Sequence, residues 1–513
     1  MATTNRKQPR PTERATRPSK PRAHPFRGAA AVAPSPQCRE QQAPKWPTSM
    51  KAQVERLQNW ARRALVVALP LLGLALIAAR YKDNWYFYDE WSMIHRVLAT
   101  RNKILQGITL PYNGHLYIIC YLVYKAQLAL GLANHALVWS IFCASLLAVN
   151  VAVAMVLWAG GVPPLASTVA GAVIAYFGPG AQLMTFEFQF TMNAAIALPI
   201  LSGYFVLRDR NRSLSSVLVA VFLLLAIIFD SATAFAGLIF VAVLVALRWR
   251  DRWMLVALGP AVVAGATLLL ATHGALLTQP ATPRQEALFA AKLLLLALGG
   301  LVGAGKAAGI VVLVASASAL AWALHKHALS ATTAYLVTAG FVSGLAMVTV
   351  TAWSRAGLVK NDFFDFNRYI SLVAVYLLVA LAPLFVAVAR TILAHRAWSI
   401  EPVLACMLVV VFLLNLQPLA RYRSTIETWM TQTHALVEDV TWSMSKSCPS
   451  GESLDPAAQP LGTLDPQITV GLLRELEASG SLEPPARRPA LPPVVTRTAW
   501  RSAASAVCAR NAH

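Results

Sequence analysis

Charge is what this chain has least of. Charged residues make up 13% of its 513 positions, about half the share of an ordinary soluble protein. Acids are the scarcer sign, 23 Asp and Glu against 44 Lys and Arg. Such a balance excludes a water-soluble chain of several domains. Cysteine is also sparse: there are 6, and no two have metal-ligand spacing such as C-x-x-C, which excludes a cysteine zinc motif. Cys120, Cys143 and Cys406 lie in apolar stretches, where a thiol behaves as a small hydrophobe. No half-repeat of the kind many transporters carry is evident. Residues 1–50 have almost no large aliphatic side chains, so they lack the apolar surface a fold needs and are expected to be disordered.

What is present is apolar length. The chain is 57% hydrophobic, and runs of about 20 apolar residues, enough to cross a bilayer as a helix, recur between residues 64 and 418. Spans are expected near 64–80, 135–158, 163–180, 190–207, 213–229, 232–248, 253–272, 306–324, 331–353, 368–389 and 399–418. The fold class is therefore an all-α polytopic membrane protein with about 11 transmembrane helices, in a range of roughly 10–13. The first run is followed by Arg80, Tyr81 and Lys82 rather than by a small-residue cleavage site, and reads as an uncleaved first span.

The net charge of +21 does not indicate a nucleic-acid partner. Fourteen Lys and Arg against three acids fall in residues 1–63, and much of the rest occupies short loops. These are Arg208–Arg212, Arg248–Arg252, His325–His327, and Arg390 with Arg396. Basic loops on one side mark the cytoplasmic face. The expected organisation is a disordered basic cytoplasmic arm over 1–60 and a membrane domain over 61–419. Its first extracytoplasmic loop is 81–134, and an extracytoplasmic tail covers 420–513. The expected location is the bacterial cytoplasmic (inner) membrane, with the bilayer as a partner and the N-terminus inside.

Two apolar stretches stand outside the span count. Residues 116–132 carry Tyr117, Tyr121, Tyr124, Lys125 and Gln127, which suits an interfacial helix. Residues 289–301 are short and contain Lys292 and a Gly-Gly pair. In the tail, Val470, Leu472, Leu473 and Leu476 can form one apolar helical face over 468–477. Cys448 and Cys508 are a disulfide candidate there, or else two free thiols.

Ionisable groups beside a bilayer are functional candidates by default, and they gather after the first span. Tyr86-Phe87-Tyr88-Asp89-Glu90-Trp91 is followed by Tyr112-Asn113-Gly114-His115-Leu116. Phe186-Glu187-Phe188-Gln189-Phe190 falls at an expected external helix end, as does Ser354-Arg355-Ala356-Gly357 with Asn367-Arg368-Tyr369. Asp230 closes a long aliphatic run and reads as a solvated helix end or, alternatively, as lining a cavity near the acidic motif. Trp85, Tyr86, Phe87, Tyr88 and Trp91 suit either stacking on sugar faces or an interfacial aromatic belt.

In this order the four motifs resemble those of the polytopic, lipid-sugar-dependent glycosyltransferases of the GT-C fold superfamily, over roughly residues 60–420. The resemblance implies a GT-C-like fold. It also implies transfer of a hexosyl or pentosyl group from a polyprenyl-phosphate donor to an extracytoplasmic acceptor: a cell-envelope glycan, lipid or protein. Such transfer needs a base for the acceptor hydroxyl, a cation for the departing phosphate and an apolar groove for the isoprenoid. Asp89 is the first choice of base and Glu90 the second. His115 and Asn113 are candidates for holding the acceptor, unless the histidine is a helix cap. Arg355 and Arg368 suit bidentate phosphate binding, unless they snorkel to the interface. Lys306 and Lys360 are further cations, and Asp362 and Asp365 can neutralise the arginines. Glu187, Gln189, Tyr369 and Trp91 complete the expected substrate site. A divalent metal, Mg2+ or Mn2+, is the one cofactor the chemistry leaves room for. Two other functions stay open: a secondary transporter or lipid flippase, and a non-catalytic envelope-assembly protein.

Overall fold

The computed structural model describes residues 85–86, 89–111, 117–132, 135–208, 211–249, 252–271, 281–357, 367–393, 400–446, 459–461 and 467–489, with isolated positions elsewhere. Among these the regular structure is helical. Helices α1 (Asp89–Ala99), α2 (Ile104–Thr109) and α3 (Ile118–Leu130) precede the first long apolar helix, α4 (Ala136–Ala159). Then come α5 (Pro164–Ala175), the four-residue α6 (Gln182–Thr185), α7 (Phe190–Arg208), α8 (Arg212–Phe229), α9 (Ser231–Arg248) and α10 (Trp253–Ala271). The remainder are α11 (Pro283–Gly300), α12 (Lys306–His325), α13 (Ala331–Arg355), α14 (Arg368–Leu393), α15 (Ile400–Lys446) and α16 (Val470–Ala478).

Eight helices among the described residues are long and apolar enough to cross a membrane: α4, Glu187–Arg208, α8, α9, α12, α13, α14 and α15. Each matches an expected span. The span expected at 64–80 lies outside the described residues, and the apolar stretch described in α10 is the shorter Trp253–Leu268. The span expected at 163–180 is not one helix. It stops at Ala175, and two 3-10 turns, Gly178–Gly180 and Glu187–Gln189, flank α6 before α7 begins. Packing explains the break. Gly178 lies against the backbone at Asn415 and Gly180 against Ser371, and neither site has room for a Cβ. Asn367 Oδ1 accepts from Gln182 N at 2.9 Å, and Gln182 Oε1 from Arg368 N at 3.4 Å. Here tertiary bonding replaces the helical ladder that Pro179, with no N–H to give, interrupts.

Two further elements differ in extent. The stretch at 289–301 is part of the 18-residue α11, which starts with a capping box between Thr282 and Gln285. That reciprocal pair satisfies two otherwise orphaned groups, and Phe289, Leu293, Ala297 and Leu298 are buried beyond it. Helix α15 runs 47 residues, about 70 Å, straight through the boundary expected at 419/420. Its second half stays helical because Tyr422, Ile426, Met430, Leu436, Val437 and Val440 are all buried. Helices α3 and α16 fall where the sequence places them, and the apolar face of α16 is buried as expected.

Neighbouring long helices run antiparallel through short connections, which sorts the polar residues to two ends. Asn211 caps α8, and Asp230 links α8 to α9. One end carries Arg208, whose guanidinium lies 4.6 Å from the Trp158 ring. It also carries the Gly160 carbonyl, which accepts from the Thr333 hydroxyl at 3.2 Å. By alternation Arg248, His325 and Arg390 fall there too. The other end carries His135, Glu187, Asp230 and Arg368.

Candidate functional site

Helix α1 places the acidic pair. Two carboxylates in a first turn suit the positive end of the helix dipole. Trp91, Ile94, Val97 and Leu98 form its buried face. Glu90 lies on that face, four residues before Ile94, and is 1% exposed. Its Oε1 accepts a short hydrogen bond from the Tyr124 hydroxyl of α3. Asp89, one residue earlier, is half-buried.

Two other segments reach the same place. His135 precedes α4, with its Nε2 3.0 Å from Glu187 Oε2 and 3.9 Å from Glu90 Oε1. Glu187 opens the 3-10 turn after the broken segment and is 0% exposed. The imidazole is held edge-on by the Tyr86 ring at 4.3 Å between centroids. The buried Tyr86 hydroxyl has no hydrogen-bond partner among the described residues, and His135 Nε2 has no well-aligned one. Burial by itself would lower the imidazole's pKa. The Glu187 carboxylate, with Glu90, outweighs burial and pushes it up to about 10. Burial, then the charge on Glu90, raises the phenols of Tyr86 and Tyr124 well above their usual range. Glu90, His135 and Glu187 each offer one ligand atom, all within 4.8 Å of one another, and could hold a metal ion.

A second group adjoins the first. Arg368, at the start of α14, lies with its guanidinium 5.3 Å from the Tyr369 ring and feels the charge of Asp89. Tyr117 is buried between this pair and Asp230. Burial, then the Asp230 charge, raises its phenol. Asp230 is 0% exposed rather than solvated. Its Oδ1 caps α9 by accepting from Ala232 N and Thr233 N at 3.1 and 3.4 Å, and its Oδ2 accepts from the Thr233 hydroxyl at 2.6 Å. A carboxylate so bonded is a structural cap.

The C-terminal segment backs this end of the molecule. His434 of α15 stacks on Trp85 at 3.8 Å, and Tyr422 meets Phe186 edge-on at 6.4 Å. Gln467 accepts a short hydrogen bond from Ser92, and Ser481 O accepts from Leu132 N at 2.9 Å.

Of the site residues expected from sequence, Asp89, Glu90, Glu187, Arg368 and Tyr369 gather at this end. Gln189 is buried beside Glu187, with its Oε1 unpaired among the described residues. Trp91 is fully buried and gives its indole N–H to the Tyr86 carbonyl at 3.2 Å, so it braces the segment and offers no face to a sugar. Arg355 is half-buried at the last residue of α13. Asn113 and His115 lie outside the described residues, as do Cys448 and Cys508. His135 was missed, although an ionisable residue opening an apolar run was a legible signal. Tyr124 gave none, since nothing in its local sequence pairs it with Glu90. No protein-family model, no curated protein and no solved structure matches this chain.

Proposed function

We propose that this is an integral membrane glycosyltransferase of GT-C type. It moves a hexosyl or pentosyl group from a polyprenyl-phosphate donor to an extracytoplasmic acceptor. The observation that carries this reading is a half-buried carboxylate, Asp89, whose charge acts on the half-buried Arg368 at the same end of an apolar bundle. Asp89 takes the proton of the acceptor hydroxyl as that oxygen attacks the anomeric carbon. The bond from that carbon to the phosphate oxygen breaks, and its electron pair leaves with the phosphate. Arg368 stabilises the departing charge, and its contact with Tyr369 holds the guanidinium in place. A divalent metal, Mg2+ or Mn2+ on the sequence reading, would add positive charge nearby. The site end then faces the extracytoplasmic side of the bacterial inner membrane, and the Arg208 and Arg248 end faces the cytoplasm. In seven of the eight long helices the ionisable residues sit towards helix ends, and in α15 the charges after Glu401 begin only at Arg421, next to the Tyr422 contact with Phe186 at the site end. A transporter would place some near the midplane.

Glycan and lipid-linked-sugar profiling tests the reading in cells carrying wild type, a deletion or Asp89→Asn. Both altered strains should lose one sugar modification while its lipid-linked donor accumulates. Unchanged glycans in both would sink the transferase and turn attention to transport. Arg368→Ala should impair donor use more than acceptor use; equal impairment would make Arg368 structural.

A further inference from the structure

We infer that Glu90, His135 and Glu187 form a mononuclear site for a first-row transition-metal dication such as Zn2+ or Mn2+, in preference to Mg2+. The site goes beyond the transferase reading and holds whichever group, if any, the protein transfers.

Three observations carry it. The first is convergence. The ligands come from the start of α1, the residue before α4 and the 3-10 turn before α7, which together span about a hundred residues of chain. A solvated acidic patch needs no such assembly, and both carboxylates here are at most 1% exposed. The second is spacing. Donor atoms on one such metal, at bond lengths of about 2.0–2.2 Å, lie about 3.3 Å apart in a tetrahedron. The Nε2–Oε2 distance to Glu187 is 3.0 Å and the Nε2–Oε1 distance to Glu90 is 3.9 Å, and all three ligand atoms lie within 4.8 Å of one another, close to what one ion would draw together. The third is the imidazole's environment. Its Nε2 approaches both carboxylates without a well-aligned hydrogen bond to either, and the buried Tyr86 hydroxyl beside it is also unpaired. Three ligand atoms converging on one point suit a cation at that point.

The donor set selects the metal. Imidazole suits Zn2+ and its neighbours, and Mn2+, which favours carboxylates, accepts one imidazole beside two of them, whereas Mg2+ prefers oxygen and keeps its water. Tyr124, donating to Glu90, supplies the outer-shell bond that orients such a ligand. Three protein ligands leave a fourth position for water or substrate, the pattern of a catalytic metal.

The test uses the full chain in detergent, stripped with chelator and offered Zn2+, Mn2+ or Mg2+ alone. Metal content is then read by mass spectrometry. The expected result is about one equivalent of Zn2+ or Mn2+ and none of Mg2+ after washing. His135→Gln and Glu187→Gln should each lose bound metal. Tyr124→Phe should weaken affinity roughly tenfold. Glu401→Gln, a carboxylate bonded to Leu165 N at the opposite end, should bind as wild type. No retained metal, or His135→Gln binding as wild type, overturns the site, and equal retention of Mg2+ overturns its class. Should the substitutions disturb folding, pulsed paramagnetic resonance of Mn2+-loaded wild type decides. Imidazole nitrogen modulation supports the site, and its absence overturns it.

Discussion

His135 sets the electrostatics of the site. It stands between two carboxylates removed from water, and burying an ion costs several kcal/mol unless a partner offsets it. Removing the imidazole leaves Glu90 and Glu187 facing each other across the space it filled. His135→Ala should therefore destabilise the protein by about 3–5 kcal/mol, the range for breaking a buried ion pair. Adding Glu187→Gln should recover part of that loss, because one of the like charges is gone. Thermal unfolding of the two singles and the double, in detergent with chelator present, measures the coupling. Additive losses would mean that the two residues do not interact. Asp89 and Glu90 show why neighbours in sequence take different roles. Successive helical residues point about 100° apart, so Glu90 enters the core beside Ile94 while Asp89 stays half-buried toward Arg368.

At the scale of elements, the broken segment between α5 and α7 matters most. It carries Glu187 and Gln189 into the site, and it exists because two glycines let it lie against α14 and α15. Gly180→Ala should force Ser371 or its backbone to move, at a cost of about 1–3 kcal/mol for overpacking. A Ser371→Gly partner should relieve part of that cost. Unfolding temperatures of the three variants check this, and an unchanged single variant would show that the contact has slack. The sequence alone placed α4, α7, α8, α9, α12, α13 and α14 to within a few residues, because long apolar runs ending in Arg, Asp or Gly leave little choice of state. It misplaced the span at 163–180, whose composition is as apolar as its neighbours'. Pro179 interrupts the ladder there, and the close approach to Ser371 and Asn415 holds the chain out of a continuous helix. It also shortened α11, whose Thr282 and Gln285 cap is plain once the helix is seen but lies outside the apolar run that drew attention.

At the scale of the molecule, the C-terminal part of the chain is joined to the first-loop helices. The second half of α15 stacks His434 on Trp85, and the segment around α16 bonds to Ser92, Leu128 and Leu132. Arg488 further pairs with Asp439 at 2.7 and 3.3 Å beneath the Trp442 ring. Truncation after Lys446 removes α16 and these bonds, and exposes the flank of α1 and α3. The truncated chain should insert in the membrane but lose protection of residues 85–132 in limited proteolysis. Undiminished protection would show that those helices hold their place alone.

The sequence by itself determined the class. Membrane-length apolar runs force helices, since a backbone without water must bond within itself. Their terminal charges sort the two ends. It also singled out Asp89, Glu90, Glu187 and Arg368, because ionisable residues are rare enough in such a chain to be conspicuous. Which of them meet was decided by tertiary structure alone. Glu90, His135 and Glu187 come from three elements whose register depends on how α5 breaks and how α1 packs under α3. No local pattern encodes a distance of 3.0 Å between residues 52 positions apart.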